Sequence, residues 1–506
     1  MYDLYKPFRN HMRTVQPVPA LLTVYRLHQH LLNGDSLPAR LQPKQFGVPA
    51  PVNKHLFPWE LDVFAREIVL NGDPQGKRDL QDWNSVAIVG NFIRHLDDGI
   101  TARRDENYDI FRVMHRIVHF QFPWQRPPSS SSMVRYLKIY EGTTLEEILT
   151  ARFGMTMRQL YYMGLAMAGH FMGQPGFNTT TDFSQLGIDR ERGLAFMRRI
   201  SSPLADLRAA TRERQRYDEA WMYAWNPLYD TPLVGIEPSH PERTICPLPS
   251  LLLRRVSEGL FYDIKEDEGF QNAYGGAFQT YVGHVLRTLC PEPFRVVEER
   301  SYRVGKNLKH GVDWILEDDG GSAFIECKTK RLRHDAKFGA DDDQLIDDLD
   351  KMARAVTQLY KNILDAQAGL TPWAPTGRPI YPLIVTLEDW WLFTPSIHRR
   401  LNQLIEERFA AEGVDLALLH AMPFTIASVE ELEQALIAIN EEGVLPFFRA
   451  KTDQEHREWA VSPFTSHHYP GQSTDARRKL FDEAWQGLAV EPPLRPRPRG
   501  GGAHTR

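Results

Sequence analysis

Two short apolar runs, Gly311-Val312-Asp313-Trp314-Ile315 and Ala323-Phe324-Ile325-Glu326-Cys327-Lys328, flank the turn Asp318-Asp319-Gly320-Gly321. Apolar segments of this length joined by an Asp/Gly turn form a β-hairpin. No other feature constrains the chain as much, because successive strand side chains alternate between the two faces. Glu326 and Lys328 must then point one way, and Ile325 and Cys327 the other. Asp313, on the partner strand, meets Glu326 across the hairpin. Two carboxylates and an ammonium are thus drawn together. Charges set into apolar strands are costly unless something pairs them.

A hard divalent cation suits such a group. Mg2+, with Mn2+ as the alternative, takes oxygen ligands and accepts one or two carboxylates completed by water and a phosphate. Asp313 and Glu326 are the expected metal ligands, with the Cys327 carbonyl as a further oxygen. Lys328 is placed to orient or help deprotonate an attacking water, or to neutralise charge developing on a phosphate. The basic residues that follow, Lys330, Arg331 and Arg333, are placed to hold phosphates.

The surroundings of the hairpin give it a fold. Periodicity predicts a helix over residues 273–289, then strands over 294–302, 312–317 and 323–328. A long helix follows over 343–367, with apolar residues at Leu345, Leu349, Met352, Val356, Leu359 and Ile363. Strands at 380–387 and 423–427 come next, and a further helix opens at Val429. The order α-β-β-β-α-β is an α/β pattern with too few crossovers for a doubly wound sheet. With this order, and with Gly-Val-Asp at 311–313 and Glu-Cys-Lys at 326–328, the segment resembles the PD-(D/E)XK nuclease superfamily, the restriction-endonuclease-like fold. Val312 stands where the family has proline. The resemblance covers about residues 255–440, inside a domain running from 245 to 445.

The resemblance implies a mixed central sheet flanked by helices and Mg2+-dependent hydrolysis of phosphodiester bonds, with DNA as the substrate. It makes Asp313, Glu326 and Lys328 the catalytic residues. Family members often carry a glutamate on the helix before the sheet, in a pattern like Phe-Glu-x-Tyr-Val. Here the run is Phe278-Gln279-Thr280-Tyr281-Val282, so Gln279 becomes a supporting group without the charge. Some members have a glutamine on the helix after the second half-motif, for which Gln358 is the candidate. Family analogy points to bacterial defence against phage or other mobile DNA. Two rival readings are a catalytically inactive nuclease-fold scaffold, binding nucleic acid or a protein partner, and an RNA-directed nuclease.

The rest of the chain reads as helical. Residues 1–126 carry helical periodicity, for example at 19–32 and 59–70. The Pro/Ser run at 127–132 reads as a loop or linker, and 133–244 as a second helical region. Two helical pairs in that region have helix-turn-helix spacing, a pattern common in any helical domain. This helical half is expected to act as a sensor or to dock a protein partner. A C-terminal extension covers 446–491, and the Pro-, Gly- and Arg-rich tail 492–506 should be disordered.

Composition narrows the setting. An apolar fraction of 42% with 25% charged residues is that of a soluble globular protein, and no apolar run is long enough to cross a bilayer. The N-terminus lacks the apolar core of a signal peptide. The three cysteines have no paired spacing, which speaks against disulfides and cysteine zinc sites and for a cytoplasmic setting. A net charge of -5 argues against a wholly basic nucleic-acid binder, but phosphate contact is a matter of local patches. Among other motifs, His115 and His119 lack the glutamate of a zinc protease and read as structural. The Gly-Lys near residue 76 reads as a turn, and His467-His468 as a surface loop. The acidic run Asp341, Asp342, Asp343, Asp347, Asp348 and Asp350 reads as a helix N-terminus favoured by the macrodipole.

Overall fold

The computed structural model describes residues 2–102, 110–126, 128–298, 300–339, 342–392, 394–471 and 475–488. Pro127 of the expected linker, Asp341 of the acidic run and the tail 492–506 lie outside them. The elements that position the hairpin are α1 (Ser130–Tyr140), α2 (Phe270–Leu289), β1 (Arg295–Glu298), β2 (Trp314–Glu317), β3 (Ser322–Lys328) and α3 (Asp343–Gln367). They continue with β4 (Ile380–Thr386), α4 (Pro395–Glu412), β5 (Thr425–Ser428), α5 (Val429–Glu442) and α6 (Asp475–Leu488).

The hairpin forms as expected. Asp318 accepts the backbone N–H groups of Gly320 at 2.8 Å and Gly321 at 2.9 Å, which closes the turn. Its other carboxylate oxygen takes the Val444 N–H at 2.7 Å and so ties the turn to a helix that follows α5. The sheet runs β5-β4-β3-β2-β1. β2 is antiparallel to β1 and to β3, whereas β3, β4 and β5 are parallel, each joined to the next through a helix. The fold is mixed α/β with helices on both faces of a mixed sheet. Every residue of β4 is buried, which explains its continuous apolar run.

Side-chain alternation divides the sheet between two cores. Trp314, Leu316, Ile325, Leu383 and Val385 pack with α2 and α5. Ile315, Phe324, Ile380 and Ile384 pack with α3 and α4. Helix α2 lies so close to Trp314 that a side chain on Gly283 would overlap the indole, so this position requires glycine. All six apolar stripe positions of α3 are buried, each worth roughly 1.5–3 kcal/mol relative to exposure.

Several sequence expectations need correction. The strand at 294–302 stops at Glu298, and Tyr302 opens a separate two-stranded hairpin, Tyr302–Val304 with Asn307–Lys309. The region 133–244 is not wholly helical. It contains a four-stranded sheet of Gly176–Asn178, Arg243–Ile245, Leu233–Gly235 and Ser201–Pro203, whose strands are too short to show alternation. The strand at Gly176–Asn178 lies between the two segments read as helical pairs, residues 155–171 and 186–200. The serines of the expected linker start α1: Ser129 accepts the Ser132 N–H at 3.2 Å, and the Ser132 hydroxyl accepts the Ser129 N–H at 2.9 Å. His467 and His468 end the helix Val461–His468 instead of lying in a loop.

The core boundaries also differ from the expected domain limits at 245 and 445. Helix α1 and the helices up to residue 200 share one core with α2, α5 and a face of the sheet. α6 belongs to that core through Leu480, Phe481 and Leu488, so the C-terminal extension is part of the packing. A second core joins residues before 125 to residues 204–251. No helix among the described residues is long and apolar enough to cross a membrane.

Candidate active site

The register that pairs Trp314 with Ile325 puts Asp313 one step outside the ladder, opposite Glu326. There the Asp313 Oδ2 accepts the backbone N–H of Cys327 at 2.6 Å. Within β3, the Lys328 ammonium donates to Glu326 Oε1 at 2.6 Å. The trio expected from the sequence is therefore assembled at one end of β2 and β3. Glu326 and Lys328 share the strand parity of Phe324, which faces α3 and α4.

Burial grades across the trio. The Glu326 side chain is 10% exposed and that of Lys328 is 35% exposed. Burial works to lower the Lys328 pKa, but the neighbouring carboxylates of Glu326 and Asp313 outweigh it and hold the ammonium above its ordinary value. Lys328 is thus a cation at neutral pH, suited to offset negative charge and not to accept a proton. Burial, first, and the nearby carboxylates push the Cys327 thiol far above the ordinary range, so any metal contact from this residue falls to its carbonyl. Within a strand the N–H and C=O of one residue leave on the same edge, which puts that carbonyl on the Asp313 side.

The supporting residues behave differently from one another. Gln279 is half-buried on α2, and its backbone carbonyl accepts the indole N–H of Trp314 at 2.9 Å, next to Asp313. Helix α2 is thereby fastened to the strand at the site. Gln358 is exposed on α3 and donates to Asn362 one turn on, at 3.0 Å.

The three basic residues after the hairpin also part company. Lys330 and Arg333 both converge on the fully buried Asp348, at 3.2 and 3.0 Å, with about a third of each side chain still exposed. Arg331 is inside the molecule. It pairs with Glu388 at 3.0 Å, donates to the Tyr274 hydroxyl at 2.9 Å and to the Glu258 carbonyl at 3.2 Å, and lies 4.0 Å from the Phe261 ring centre. It is not on the surface where a nucleic-acid backbone would pass. The acidic run proves well matched by cations: Asp342 meets Arg112 at 2.8 Å and Asp350 meets Arg408 at 2.6 Å, while Asp347 pairs with Lys351 at 2.8 Å.

Among the described residues no group of three or more His, Cys, Asp and Glu has the arrangement of a metal cluster. Two carboxylates with water and a phosphate suffice for Mg2+. His115 and His119 are buried, with ring centres 4.4 Å apart, and burial foremost drives both pKa values down, that of His115 to about 3. Burial thus disfavours the charged form of both rings.

Sequence reading gave no sign of a second feature, a cavity of about 760 Å3 beyond the carboxyl ends of β3, β4 and β5. Its walls come from residues as distant as Asp62 and Glu430, and include Arg331, His119 and Ser129 and Ser132 of the Pro/Ser run. Comparisons of the chain with family models, with curated proteins and with solved structures give no match.

Proposed function

We propose that this chain is a Mg2+-dependent nuclease, acting on DNA through a restriction-endonuclease-like core. The observation that carries the reading is the meeting of Asp313, Glu326 and Lys328, with Asp313 on the Cys327 N–H and Lys328 on Glu326. The sheet order β5-β4-β3-β2-β1, with an antiparallel hairpin beside parallel strands, supports the same core. Gln279, on the helix fastened beside Asp313, fits the supporting position.

Asp313, Glu326 and the Cys327 carbonyl would hold the metal. The donor set is all oxygen and leaves coordination positions for water and substrate, as Mg2+ prefers. Bound there, Mg2+ would supply the positive charge that polarises the phosphoryl group. Asp313 accepts a backbone hydrogen bond that fixes its carboxylate before substrate arrives, which is preorganisation. Lys328 offsets charge developing on the phosphate, and its exposed side gives the substrate access. Lys330 and Arg333, half-turned to solvent, would meet the strand on either side. Bacterial defence remains the context that family analogy suggests.

One observation favours a second reading, that of an inactive scaffold: Glu326 and Lys328 already form an ion pair with each other. The two readings separate when the purified chain is incubated with plasmid, linear DNA and RNA, with Mg2+ or with chelator. We expect Mg2+-dependent cutting of DNA, abolished by chelator and by Asp313→Ala. If no substrate is cut, or if Asp313→Ala cuts as well as wild type, the enzyme reading fails. RNA cutting alone would reassign the substrate.

A further inference from the structure

The cavity of about 760 Å3 lies where the N-terminal helices meet the sheet. Arg331 and Leu332 beyond β3, Glu388 and Trp391 beyond β4, and Ser428 at the end of β5 form one wall. Ligands of open α/β sheets bind in this place, outside the carboxyl ends of parallel strands. The volume is within the range of small-molecule sites, about 300–1,000 Å3. It equals a cube about 9 Å on a side, the scale of a small molecule.

The charges on its walls are of two kinds. Arg254, Arg255 and Arg331 are each paired, with Glu258 at 2.8 Å, Asp263 at 2.6 Å and Glu388 at 3.0 Å. Arg126 and Lys337 line the same space and have no carboxylate within ion-pair distance among the described residues. Arg126 acts on the Asp389 carboxyl, and Asp62 and Asp230 line the same space, but neither Arg126 nor Lys337 is held in an ion pair among the described residues, and two such cations in a concave site favour an anion. The walls also hold two buried polar atoms without hydrogen-bond partners, His119 Nδ1 and Arg331 Nε. Buried polar atoms are rarely left so.

Aromatic rings supply the rest. Trp391 has φ of 42°, a left-handed conformation that a bulky residue seldom takes. This turn sets its indole 4.9 Å from the His119 ring centre and 5.5 Å from that of Phe122, on the cavity wall. Trp225 lines the space as well. Burial, foremost, raises the carboxyl of Asp389 above its usual range, against the opposing pull of the Ser428 hydrogen bond and of Arg126 and Arg135.

We infer that this cavity binds a free nucleoside phosphate, its phosphate held by Arg126 and Lys337 and its base set among the aromatic rings. The wall is joined to the trio by backbone, since Leu387, which lines the cavity, donates its N–H to the Lys328 carbonyl at 3.2 Å. A ligand that shifts this wall would therefore act on the strand end carrying Glu326 and Lys328. That consequence for cleavage rests on the nuclease reading, whereas the binding does not.

The test is calorimetric titration of the full chain with AMP, ADP and ATP in the presence of chelator, on wild type and on Asp313→Ala. We expect ADP or a close analogue to bind both proteins equally. Arg126→Ala and Lys337→Ala should each weaken it by about ten- to a hundredfold, with the unfolding midpoint of the free protein unchanged. The inference is overturned if none of the nucleotides binds, or if both cation variants bind as wild type does. It is equally overturned if Asp313→Ala abolishes binding, which would put the ligand at the trio. Binding of a 5′-phosphorylated oligonucleotide but not of the free nucleotides would make the cavity a strand-end site instead. Nucleotide binding in a chain that cuts no nucleic acid would leave this site standing and remove the nuclease reading alone.

Discussion

Two clusters of cation and carboxylate are attached to the same sheet-bearing core, and they are built on opposite terms. Arg135 of α1 meets Glu433 of α5 through two hydrogen bonds, at 2.9 and 2.8 Å, and the Tyr281 hydroxyl of α2 donates to the same carboxylate at 2.8 Å. Three helices are joined there, and Glu433 has no exposed surface. At the strand end, Lys328 gives Glu326 a single bond and keeps 35% of its side chain in solvent. A charge enclosed by several partners is committed to the fold. A charge half in solvent, with one partner, is still available to a ligand. The contrast separates structural from chemical charge without reference to motif.

The comparison is most exposed to failure at Glu433. Glu433→Ala would leave the buried Arg135 guanidinium with only the more distant Glu430, at 3.6 Å, and is expected to cost about 3–5 kcal/mol, measured as the shift in urea unfolding free energy. A loss below about 1 kcal/mol, the scale of a surface pair, would erase the distinction. A buried group that stays neutral sharpens the contrast further. His28 is hydrogen-bonded to the Ser250 hydroxyl at 2.9 Å, and burial, foremost, lowers its pKa to about 4. Its folded pKa is below the unfolded value of about 6.5, so its contribution is whole above that pH and is lost as pH falls towards about 4. Wild type should then lose stability over this window by up to about 1.4 kcal/mol per pH unit more than His28→Gln does. Equal slopes would show that the imidazole is not held neutral.

The same contrast explains what could be read from the sequence. The hairpin was legible because Asp313, Glu326 and Lys328 are within sixteen residues and strand alternation fixes their directions. Helix α3 was legible end to end, because its apolar stripe repeats over many turns. The short strand Ser201–Pro203 could not be seen, since three residues carry no period. Nor could the role of Arg331, which resembles a phosphate contact in sequence and becomes a buried tie once Glu388 and Tyr274 close on it from distant segments. The Arg135–Glu433 pair spans 298 residues and leaves no local mark. What is local in the chain was readable; what the tertiary packing assembles was not.

The central claim is tested most directly by unfolding free energy and Mg2+-dependent DNA cleavage, both measured on Lys328→Ala. If Lys328 is a chemical and not a structural charge, its loss leaves the buried Glu326 without its partner but should cost clearly less stability than Glu433→Ala, while cleavage falls about a hundredfold or more. Cleavage equal to wild type, or a stability loss as large as that of Glu433→Ala, would contradict the account.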